Sequence, residues 1–156
     1  MKRLLLSLLA IMAVSFTGTY AQDLSDNQLK LRTQISKFLK SQGYSPEIDP
    51  DGDIMFRADG YHHWVVISRV DDDPMFVSLL RLAPYIPDFD PEQAFRASRE
   101  LNLYKTAKLE IYDEGAGIKS QMYLKSWEAF ADVFYKMMEV IDNVYTDFVY
   151  EYENAE

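Results

Sequence analysis

The stretch from Ser126 to Phe148 limits what this chain can fold into more than any other. Trp127, Phe130, Phe134, Met137, Ile141, Val144 or Tyr145, and Phe148 keep a three-four spacing for about six turns, with Glu128, Asp132, Lys136, Glu139 and Asp142 on the other side. A helix of that length with one apolar stripe must lie on a large apolar surface. At 156 residues the chain has room for one domain, so the rest of the sequence has to build that surface.

It does so with strands. From Pro46 the apolar period becomes two: Glu47-Ile48-Asp49, the turn Pro50-Asp51-Gly52, then Asp53 to Ala58 with Ile54 and Phe56 on one face. Asp59-Gly60 turns the chain again, and Tyr61 to Val70 reads as a strand with an apolar centre, Trp64 to Ile67. After Asp71-Asp72-Asp73-Pro74, Met75 to Leu82 forms another strand, ended by Pro84 and Pro87. A second hairpin places Ala107, Leu109 and Ile111 in one strand and Ile118, Ser120, Met122 and Leu124 in the next, around Asp113 to Gly117.

Two further helices frame these strands. Ser25 with Gln28 makes a capping box and Leu24 with Leu29 a hydrophobic staple, opening a helix whose core face is Leu31, Ile35, Phe38 and Leu39, stopped by Gly43. Asp90, Pro91 and Gln93 start a helix expected to reach about Leu103, with Gln93 closing a capping box. Ser126 caps the last helix, and Glu151 to Glu156 reads as a frayed acidic end. The order is helix, three or four strands, helix, two strands, helix. Short turns dictate antiparallel pairing, and three one-sided helices cover one sheet face, giving an α+β two-layer sandwich. Trp64, Val66, Leu80 and Leu82 make part of the other face apolar, which marks a partner surface.

Residues 1–21 read as a secretory signal peptide. Met1-Lys2-Arg3 is the positive start, Leu4 to Phe16 an apolar run too short to span a bilayer, and Thr19 and Ala21 are the small residues before cleavage. Residues 22–156 then form the single mature domain, exported to the periplasm or beyond. Without cysteine there is no disulfide, thiolate metal site or cysteine nucleophile. The 25 Asp and Glu against 16 Lys and Arg give a net charge of −9, which repels nucleic acid and anionic lipid, and no later segment suits membrane insertion.

The element order, with Ile48-Asp49-Pro50-Asp51-Gly52-Asp53-Ile54-Met55-Phe56 and Asp71-Asp72-Asp73-Pro74-Met75-Phe76, resembles the YbjN-like and type III secretion chaperone-like families over nearly all of the mature chain. It is most similar to small exported members of Bacteroides type. The resemblance implies the fold, dimerisation and the holding of client segments, and it implies no catalytic residues.

Candidate sites are few. Asp49, Asp51 and Asp53 around Gly52 suggest a calcium loop, with Asp71 to Asp73 as contributors, but the glycine and the final acid are misplaced for an EF-hand, and a hairpin turn explains them better. His62 and His63, adjacent on a strand, leave opposite faces and so do not act together; they read as surface or rim imidazoles. The numerous carboxylates make an acid-dependent hydrolase conceivable, though no cleft is legible. The Tyr-rich end of the last helix, Tyr145 and Phe148 above all, offers a second contact surface. The expected function is a non-enzymatic exported protein-interaction module without cofactor, binding itself as a homodimer or another protein through Trp64, Val66, Leu80, Leu82, Tyr145 and Phe148. The alternatives are a small-ligand or lipid-binding envelope protein and, after it, the hydrolase.

Overall fold

The computed structural model describes residues 24–155 apart from 84–87, 100, 102–105 and 114. The expected leader, 1–21, lies outside the described residues. The elements are α1 (Asp26–Ser41), β1 (Glu47–Ile48), β2 (Ile54–Ala58), β3 (Tyr61–Val66), β4 (Met75–Leu82), α2 (Pro91–Ser98), β5 (Ala107–Tyr112), β6 (Gly115–Leu124) and α3 (Trp127–Asn154). The strands form one six-stranded sheet in the order β1-β2-β3-β4-β6-β5, and every pair is antiparallel. The α+β sandwich read from the sequence is the architecture observed.

Register shows which side chains share a face. Phe56 lies opposite His63, His63 opposite Arg81, and Arg81 opposite Ile118; one step along, Ile54, Val65, Leu79 and Ser120 line up in the same way. These rows are buried and form the inner face. Ile35 and Leu39 of α1 and Phe130, Phe134, Met137, Ile141 and Val144 of α3 cover them in one core. Each large apolar side chain withdrawn from water there contributes roughly 1.5–3 kcal/mol. A satellite core gathers Ala94 and Ala97 of α2, Leu101, Ala116 of β6, and Phe148 and Tyr152 of α3.

Several boundaries differ from the sequence reading. β3 stops at Val66 rather than Val70, because Asp53 Oδ1 accepts the Ile67 N–H at 2.7 Å and the chain then turns, Val70 N–H donating to Ile67 O at 3.2 Å. α2 ends at Ser98, and residues 102–105 lie outside the described residues. Gln93 does not close a capping box; its amide donates to Tyr152 O at 2.7 Å. Ser126 stands at the N-cap of α3 without a side-chain capping bond. The acidic end is not frayed: α3 continues to Asn154, held where Phe89 stacks on the Tyr152 ring and Asp90 N–H donates to Tyr152 Oη at 2.8 Å. Ser25 and Gln28 do form the reciprocal capping box.

Candidate functional site

The outer face carries the alternate residues of each strand. Because successive strand side chains leave opposite faces, the register that buries His63 and Val65 turns Trp64 and Val66 outward. One row across five strands runs Met55, Trp64, Leu80, Lys119, Lys108. Beside it run Val66, Ser78 and Gln121, then Phe76 and Tyr123; on the other side lie Arg57 with His62, and Leu82, Gly117 and Glu110. Trp64, Val66 and Leu80 are half-buried by their neighbours, and Leu82, Tyr112 and Tyr123 are exposed. The helices pack on the inner rows, so among the described residues no helix covers this face.

Local contacts order its side chains. A Cβ at Gly117 would meet the Tyr112 ring at 3.1 Å and Leu80 Cδ1 at 3.2 Å, so the missing side chain is what lets Tyr112 lie down against Leu80. Tyr112 Oη donates to Glu110 at 2.8 Å, and Lys119 Nζ pairs with the same carboxylate at 2.6 Å. Burial alone would raise the Glu110 carboxyl, but the Lys119 and Tyr112 bonds outweigh it and hold it below the usual range. At the far end the Arg69 guanidinium lies 4.6 Å over the Phe76 ring and is anchored by Asp72 at 2.7 Å.

Of the sequence candidates, Trp64, Val66, Leu80 and Leu82 therefore share one surface. Tyr145 and Phe148 do not belong to it: they sit on α3, across the sheet. Phe148 is fully buried in the satellite core, which corrects its reading as a contact residue, because a three-four stripe turns its last members inward along with its first. Tyr145 is half-buried, its ring 4.0 Å from the Arg81 guanidinium.

Asp49, Asp51 and Asp53 lie around the hairpin turn between β1 and β2. Asp49 Oδ1 accepts the N–H groups of Asp51 and Asp53 at 3.0 and 2.9 Å, and Asp53 is turned to Ile67, so the acids brace a hairpin turn. Among the described residues no three His, Asp or Glu side chains converge as a metal site. Burial raises the Asp53 carboxyl above its ordinary range, opposed by the Ile67 N–H. Asp71 accepts from Ser25 at 2.7 Å, and the Glu128 carboxyl is held low by the Ser126 hydroxyl.

His62 is exposed, as read, but His63 is not a rim residue. It is 1% exposed and stacked at 5.3 Å on Phe56. Burial first, and the Arg81 charge second, lower its pKa to about 4. Arg81 is likewise buried, its guanidinium between the Tyr61 ring at 3.7 Å and Tyr145, and Nη1 donates to Asp142 Oδ1 at 2.6 Å. This cluster escaped sequence reasoning because an arginine in an alternating strand reads as solvent-facing.

No family model matches the chain, and neither the curated proteins nor the solved structures include a significant match. No helix among the described residues is long and apolar enough to cross a membrane.

Proposed function

We propose that this is an exported, non-enzymatic protein-interaction module of the YbjN-like and secretion-chaperone-like kind, docking a protein through the outer face of its sheet. One observation carries the reading: the row Met55, Trp64, Leu80 and its neighbours Val66, Phe76, Leu82 and Tyr123 form an apolar band that no helix covers among the described residues. Strands of two to ten residues, at about 3.4 Å per residue and about 4.8 Å apart, give a face of roughly 600 Å² in projection, near the scale of a standard interface with its ~800 Å² of accessible surface per partner.

Charge favours a second copy as the occupant. The chain carries −9, yet its outer face sets Arg57, Lys108 and Lys119 against Glu47 and Glu110. Two copies meeting there keep their acidic helical faces apart. Light scattering of the purified protein from about 1 µM to about 1 mM tests this. Self-association lost in Trp64→Ser, with unfolding otherwise unchanged, supports the reading, and a monomer throughout overturns the second copy as occupant.

A further inference from the structure

A cleft of about 500 Å³ opens at the β2 edge of the sheet, with Tyr44, Ser45, Glu47, Met55, Arg57 and His62 among its lining residues. It exists because β1 is only two residues long. Glu47 opposite Met55 is the last pair of that ladder, and Pro46, which has no N–H, leads the chain away. Asp49 N–H donates to Asp53 O at 3.0 Å, so the hydrogen-bonding groups of Asp53, and by the two-residue repeat those of Met55 and Arg57, point to this edge. Arg57 thus turns its main-chain N–H towards the cleft with no strand opposite it among the described residues.

The side chains add opposite charges. Glu47 faces outward with Met55, and Arg57 lies two residues along the same face, so the two are diagonal neighbours with Cα atoms about 7–8 Å apart. They do not pair with each other, and neither has another ionic partner among the described residues. An acid and a base set that far apart, unpaired, beside the half-buried Tyr44 and Met55 suit a ligand bearing both charges and an apolar body. A zwitterion whose charges lie about 3 Å apart, with a charge-assisted hydrogen bond of about 2.8 Å at each end, needs about 8–9 Å between a carboxylate and a guanidinium, a span that two exposed long side chains on diagonal Cα atoms can set. The cleft volume falls within the ~300–1,000 Å³ of small-molecule sites.

We propose that this cleft binds a free α-amino acid with an apolar side chain. Its carboxylate meets the Arg57 guanidinium and main-chain N–H, its ammonium meets Glu47, and its side chain lies along Tyr44 and Met55. A dianion is disfavoured by Glu47. The site goes beyond the docking face but shares Glu47, Met55 and Arg57 with its β2 margin, so its ligand is titrated at a protein concentration where light scattering shows a single copy.

Amide chemical shifts of the purified protein, titrated with each of the apolar and aromatic amino acids, test the proposal. At least one is expected to shift Glu47 and residues 55–58 saturably, and its N-acetyl and carboxamide derivatives are expected to bind at least about ten-fold more weakly. Arg57→Gln and Glu47→Gln, both at the surface, are each expected to cost a similar factor while the protein stays folded. Equal binding by the N-acetyl derivative would make this a plain carboxylate site and overturn the amino-acid assignment. Absence of shifts at about 10 mM ligand, or shifts elsewhere, would overturn the site itself.

Discussion

His63 makes folding sensitive to acid in a calculable way. The folded state holds its imidazole neutral down to about pH 4, whereas an unfolded chain protonates it near 6.5. The unfolded state therefore binds more protons between those values, and stability falls as pH drops from about 6.5 to about 4, then levels off below. A lowering from 6.5 to about 4, at 1.36 kcal/mol per unit, makes the loss about 3 kcal/mol, taken as an order of magnitude. That is a large part of the ~5–15 kcal/mol that holds a domain together. Titrating carboxylates add their own slope, so the informative quantity is the difference between the wild type and His63→Leu, which keeps an apolar residue against Phe56 and removes the proton site. Urea unfolding at intervals from pH 8 to pH 4 measures it. His63→Leu should gain about 3 kcal/mol on the wild type across that range, and the wild-type imidazole should titrate far below its ordinary value by NMR. A difference that stays constant with pH, or an imidazole that titrates near 6.5, would refute the reasoning.

Arg81→Leu should cost about 1–3 kcal/mol in urea unfolding, because it removes the guanidinium from between Tyr61 and Tyr145, and it should raise the pKa of His63 by deleting the neighbouring charge. Asp53→Ala should cost about 1–3 kcal/mol by leaving the Ile67 N–H without its acceptor, while Asp53→Asn, which keeps an oxygen there, should cost less; thermal unfolding compares them. Phe134→Ala empties a fully buried position that touches Phe38, Tyr44, Phe56 and Phe130, and calorimetry should show a loss of about 3–5 kcal/mol.

The elements were legible in the sequence where one period ran long enough to be unambiguous. The stripe of α3 and the capping box at Ser25 needed only local spacing, and the turns at Gly52 and Gly60 lie at positive φ, where glycine is the residue that fits. Boundaries failed where a distant side chain decided them. Ile67 leaves β3 because Asp53, fourteen residues earlier, takes its N–H, and α3 outlasts its acidic end because Phe89 and Gln93 hold Tyr152. The outer face was half legible. Alternation placed Trp64, Val66, Leu80 and Leu82 together, but the strand order β4-β6-β5, which brings Lys119, Lys108 and Tyr112 beside them, is a property of the folded sheet. The His63 and Arg81 cluster was not legible, since burial of polar strand residues is decided by the helix laid over them.

The outer face of the sheet, which no helix covers among the described residues, is the surface expected to join two copies. Analytical ultracentrifugation of the wild type, Trp64→Ser and Leu80→Lys over a concentration series tests that most directly, with thermal unfolding of each at low concentration as a check on folding. The prediction is a reversible wild-type dimer that both substitutions dissociate without loss of fold, since both side chains are only half-buried in the single chain. A wild type that sediments as a monomer at every concentration, or a dimer indifferent to both substitutions, would contradict it.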